Sequence, residues 1–118
     1  MKFYKNIILL TLTVLTYSNS LNAYAGEDLS PRKILDIGCH NTDGTCFVDL
    51  DGAAFGASLN CPVGAGNQFR FDNSDTAVGK RTFAALMAAY LSGKHLSVHL
   101  GGCSAQGWPT VQWFYVVD

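Results

Sequence analysis

Between residues 76 and 92 the large apolar side chains fall at Phe83, Leu86, Met87, Tyr90 and Leu91. This is the i, i+3, i+4, i+7, i+8 spacing that lines one face of an α-helix. Ala84, Ala85, Ala88 and Ala89 raise helical propensity and let the helix come close to a sheet. Asp75 or Thr76 is placed to cap its N-terminus, and Gly93 to end it in a left-handed turn. Elsewhere the period is two. Phe69 and Phe71 share one face of a strand over 68–71, and Leu96, Val98 and Leu100 alternate with Ser97 and His99 in a strand with one wet face. The runs 34–37 and 46–50 are two more strands, with Asp43-Gly44 as the turn between them because glycine accepts the positive φ that hairpins demand. A final strand over 111–117 is apolar on both faces from Trp113 onward. Such a strand needs cover on both sides, from its own helix on one and a neighbouring subunit on the other. Residues 26–31 read as a polar arm, and 51–67 as a long loop punctuated by Gly52, Gly56, Pro62, Gly64 and Gly66. The order β-β-β-α-β-β, mainly β with one helix, is that of a five-stranded OB-fold-like barrel.

The first 25 residues obey a different logic. Lys2 and Lys5 precede the apolar run 7–15, and Ala23-Tyr24-Ala25 supplies a small-x-small cleavage site, the three parts of a secretory signal peptide. The apolar run is about half the roughly 20 residues needed to cross a bilayer. Residues 1–25 therefore predict export to the periplasm or beyond, leaving a single domain over 26–118 with no membrane span. The chain as a whole is 118 residues long, 48% hydrophobic and 14% charged, with a net charge of −1. Removing the leader takes away two lysines and leaves six basic against nine acidic side chains. That balance excludes a nucleic-acid partner, whose phosphates demand a surplus of Lys and Arg.

Export gives the cysteines their meaning. Cys39, Cys46, Cys61 and Cys103 all lie beyond the leader, and an even number in a small exported domain reads as a disulfide framework. Three pairings are open. Cys39 and Cys46 flank the turn-rich segment 40–45, so a hairpin staple is the simplest, and it leaves Cys61 with Cys103. A zinc site needs close pairs such as C-x-x-C, and the sequence has none.

Other chemistry is sparse. Ser104 lies in Gly102-Cys103-Ser104-Ala105-Gln106, which departs from G-x-S-x-G at its last position and joins two strands rather than a strand and a helix. His95 and His99 are four apart on a strand, about 13 Å, too far to share one metal ion. A small secreted hydrolase using His40, His95 or His99 is the minor enzymatic alternative. Neither a catalytic motif nor a cofactor is implied. Trp108 is more informative. It stands near Ser104 and Gln106 in the connection between the last two strands, where OB-folds often bind ligands. An indole face beside a hydroxyl and an amide suits a sugar ring, making Trp108, Gln106 and Ser104 candidate ligand-binding residues. The competing role for Trp108 is to plug the end of the barrel or a subunit interface.

The segment from Phe83 through Tyr90-Leu91-Ser92-Gly93-Lys94 into His95-Leu96-Ser97-Val98-His99-Leu100 resembles the B subunits of bacterial A-B toxins of the subtilase-cytotoxin and typhoid-toxin type. Those carry a similar Phe-led helix that closes in aromatic, Ser/Thr and Gly before a Val-rich strand. The chain also resembles small exported bacterial proteins of unassigned function, with Cys61-Pro62 before the third strand and Gly102-Cys103 after the fourth. The toxin resemblance implies an enterotoxin-like B subunit: a ring-forming homo-oligomer that binds a host glycan and carries an exported enzymatic A subunit. The chain lacks the family's Trp-Thr-Gly start, so no sugar-contacting residue is carried over. The expectation is a non-enzymatic binding module. The alternative is a stand-alone periplasmic structural or interaction protein.

Overall fold

A computed structural model describes residues 26–118; the leader expected over 1–25 lies outside the described residues. Five strands, β1 (Glu27–Cys39), β2 (Cys46–Leu50), β3 (Gln68–Phe71), β4 (His95–Cys103) and β5 (Pro109–Val117), surround one core, and α1 (Ala77–Ser92) lies between β3 and β4 in sequence. The strands close in a ring in the order β1-β2-β3-β5-β4. All neighbours are antiparallel except β3 and β5, which meet in parallel at the single pair Arg70↔Thr110. The protein is thus mainly β with one helix. Inside the ring, Val48, Leu50, Phe69, Leu86, Leu96, Val98 and Leu100 are buried to within 1% exposure. Burial of each such side chain contributes about 1.5–3 kcal/mol.

The strand expected over 34–37 is much longer. Its N-terminal half, the expected polar arm, pairs with β4 from Glu27↔Leu100 to Lys33↔His95, and its second half turns to pair with β2 from Ile34↔Leu50 to Cys39↔Cys46. Only Leu29 is buried among the polar residues of the first half, so no alternation announces a strand there. The register with β4 slips between Leu29 and Arg32, which places Pro31 at the irregularity where a missing N–H is tolerated. Glu27 adds a tie of its own, its carboxylate accepting from the Gly56 amide at 2.8 Å and the Ser58 hydroxyl at 3.1 Å.

The loop 51–67 is organised by that tie. A 3-10 turn, η1 (Ala57–Leu59), follows Gly56, Phe55 bridges to Gly66, and Phe55, Leu59 and Cys61 are buried. Cys61 is bonded to Cys103 at the end of β4, and Cys39 to Cys46 across the mouth of the first hairpin. With sequence separations of 7 and 42, loop entropy gives about 2.5 kcal/mol for the short bridge and about 4 for the long one. Gly44, in the turn the short bridge spans, has φ 68°.

Thr76 caps α1, its hydroxyl accepting from the Gly79 amide, and Gly93 ends the helix at φ 68°. The buried face differs from the expected stripe. Gly79, Leu86 and Ala89 point inward, Phe83 and Met87 are half-buried, and Tyr90 and Leu91 are exposed. Small residues on the inward face let α1 press against β1, and Leu91 falls well round the helix from Leu86 and Ala89.

Candidate functional site

The turn between β4 and β5 brings together the three residues singled out by sequence, and it engages the side chains of Ser104 and Gln106 within the protein. The Ser104 amide donates to the Trp108 carbonyl at 2.7 Å, and the buried Ser104 hydroxyl accepts from the Trp108 amide at 3.2 Å. Ser104 is therefore a turn-closing residue. Gln106 reaches across the ring closure. Its amide nitrogen donates to Asp43 at 2.8 Å and to Thr45 at 3.0 Å in the first hairpin, while its oxygen accepts from the Arg70 guanidinium of β3. Arg70 also donates to Gln68 at 2.8 Å and lays its guanidinium 4.7 Å from the centre of the Trp108 ring. The Thr45 hydroxyl donates to Asp72 at 3.1 Å, and Asp72 takes the Ala105 amide at 2.7 Å. Asp43 accepts the Thr45 amide at 3.0 Å. That bond, aided by the neighbouring His40, holds the Asp43 carboxyl below its ordinary value despite the opposing effect of desolvation. The result is a hydrogen-bonded corner joining β3, the β1–β2 hairpin and the β4–β5 turn. The half-buried Trp108 ring is covered on one face by Arg70.

A second group of residues, not assembled by sequence reasoning, lies on the outer face of β4 and β5. The pairing His99↔Trp113 sets the imidazole against the indole with centroids 4.9 Å apart and planes 3° from parallel. Two residues along β5, Tyr115 is nearly parallel to Trp113 at 6.1 Å. Trp113 is 49% and Tyr115 52% exposed. From β1, Asp28 sits opposite His99 and its carboxylate meets the imidazole Nδ1 at 2.6 Å. The strip thus offers aromatic surface with a carboxylate–imidazole pair beside it. Such a combination takes up apolar C–H faces while bonding to hydroxyl groups. β5 keeps large apolar side chains at the surface on both faces, Trp113 and Tyr115 in the strip and Val116 on the opposite side. His95 is half-buried on the same face, and His40 lies in the first hairpin near Asp43.

The strip was hidden because it depends on register. Alternation identifies His99 and Trp113 as strand residues, whereas their meeting depends on where the 104–108 connection turns and on the slip between His99 and Leu100. The signal that survives in sequence is the surplus of aromatic residues on a strand already expected to carry two apolar faces. Comparison of the chain with protein-family models, curated proteins and solved structures finds no match to any of them.

Proposed function

We propose that this chain is an exported, non-enzymatic binding module on an OB-type barrel, acting as a self-associating, glycan-binding subunit of the B type. The observation that carries the reading is the half-exposed strip of Trp113, Tyr115 and His99 with Asp28 at its side. A sugar lies with its C–H face along the rings and its hydroxyls toward Asp28. The ligand is placed here rather than at Trp108 because the amide of Gln106 and the hydroxyl of Ser104 are already engaged. The ring order β1-β2-β3-β5-β4 with one helix supports the OB-type barrel. Two disulfides in so small a domain support export. Self-association is supported by the open edge of β5, which beyond Thr110 has no ladder partner on the side away from β4 among the described residues. An enzymatic A subunit is a separate chain in this reading.

The test joins a glycan array to a native mass measurement. The expected result is retention of a defined set of glycans and a mass that is a multiple of the protomer. Replacing Trp113 with Ala is expected to weaken binding about tenfold or more, since one well-placed aromatic contact is worth roughly 1.4 kcal/mol or above. W113F should retain most of it. A silent array and a monomeric mass overturn the proposal. Capture of a periplasmic protein through the same strip, with the array silent, supports the stand-alone interaction protein instead.

A further inference from the structure

Between the first hairpin and the N-terminal half of α1 lies a cleft of about 390 Å³, away from the aromatic strip. That volume falls in the range of sites for small molecules, about 300–1,000 Å³. Phe83 and the Cys39–Cys46 disulfide supply apolar surface, while Asn41, Asp75 and Lys80 supply polar groups from the two sides. Lys80 and Asp75 carry opposite charges and line the same cleft, yet they do not pair. The ion pairs among the described residues are His40–Asp43, Lys94–Asp118 and His99–Asp28. None of the side chains of Asn41, Asp75 and Lys80 makes a hydrogen bond among the described residues. The nearby polar groups, by contrast, are occupied: the Ser74 hydroxyl donates to the Gly44 carbonyl, and His40 faces Asp43 at 3.5 Å.

We propose that this cleft binds a small zwitterion of the α-amino-acid type with an apolar side chain. An ammonium group matches Asp75, a carboxylate matches Lys80, and the amide of Asn41 can serve either. The side chain packs against Phe83 and the disulfide. A neutral polyol leaves both charges of the rim unanswered, and a simple anion or cation answers only one. The zwitterion satisfies both at once without transferring net charge into the cleft, so no unpaired charge is desolvated. The site is distinct from the strip on β4 and β5, and its occupancy does not depend on glycan binding.

The test is an NMR titration of the ¹⁵N-labelled protein with L-leucine and L-phenylalanine, alongside N-acetyl-leucine and leucinamide. Saturable shifts are expected at the amides of Asn41, Ser74, Asp75 and Lys80, with those of His99, Trp113 and Tyr115 unmoved. N-acetyl-leucine, which lacks the ammonium, should bind at least fivefold more weakly, and Asp75→Asn should produce the same loss for leucine. Leucinamide, which lacks the carboxylate, should match the loss caused by Lys80→Gln. Both side chains are exposed and unbonded, so these variants keep the fold. A lack of saturable shifts at the cleft, or equal affinity for leucine and its two blocked forms, overturns the proposal. Either result leaves the glycan reading intact, because the strip amides report on that independently.

Discussion

Two glycines, one inside α1 and one at its C-cap, show how far the effect of a residue depends on its surroundings. In an isolated helix, replacing Gly with Ala stabilises by about 1 kcal/mol. Gly79 faces the backbone that enters the helix, and a Cβ there would lie 1.9 Å from the Asn73 carbonyl oxygen and 2.6 Å from the Ser74 Cα. The obstacle is main chain held in place by the Thr76 cap, so it cannot swing aside as a side chain could. Gly79→Ala is therefore expected to destabilise by about 1–3 kcal/mol, the usual cost of overpacking, reversing its helical propensity. Gly93 has nothing within 4 Å of its would-be Cβ but sits at φ 68°. Gly93→Ala should cost only about 1 kcal/mol through the left-handed backbone. Urea unfolding of both variants checks the order. A Gly79→Ala protein as stable as the parent would show that the entry to α1 is free to move. Gly93 was legible in the sequence because it follows the last turn of a periodic helix, whereas Gly79 looks like an ordinary weak helix position until residues 73 and 74 are folded back over it.

The first hairpin is an element whose stability depends on acid. Asp43 has its carboxyl lowered from 3.8, chiefly by the Thr45 amide bond and further by His40. A lowered folded value means that the ionised form stabilises the turn. Its contribution is complete above the unfolded value near 3.8 and is lost as pH falls through the lower folded value. Thr45 amide protection, followed by hydrogen exchange, should accordingly hold down to about pH 4 and weaken only below it. Asp43→Asn should lower protection at neutral pH and abolish the acid step. A Thr45 amide indifferent to both changes would mean that the Cys39–Cys46 bridge alone orders the turn. The existence of this hairpin was legible, since Asp43-Gly44 and two flanking cysteines announce it locally. The first half of β1 was not, because Glu27 to Lys33 carries one buried apolar residue and owes its strand conformation to hydrogen bonds from β4, far along the chain. The aromatic strip was hidden for the same reason: each ring was assignable to a strand, and only long-range register made them neighbours.

At the scale of the molecule, closure of the ring rests on an uneven seam. β4 and β5 run together along nearly their whole length, and β1 pairs with both β4 and β2, whereas β3 and β5 share one parallel pair at Arg70↔Thr110. Side chains make up for the short ladder. The Thr110 hydroxyl donates to the Arg70 carbonyl at 2.8 Å, and Gln106 links Arg70 to Asp43 and Thr45 over the same seam. Polar groups that sequence offered as ligand contacts therefore help to hold the ring shut. A seam held by few backbone bonds opens locally at lower free energy than the rest of the sheet. Amides at Arg70 and Thr110 are thus expected to exchange faster than those in the middle of β4 and β5. Thr110→Val keeps the shape of the side chain and removes one hydrogen bond worth about 1 kcal/mol. It should speed exchange at the seam about fivefold while changing the β1–β2 amides much less. Equal exchange rates at the seam and in β4–β5, or a uniform acceleration in the variant, would show that the ring opens only by unfolding as a whole.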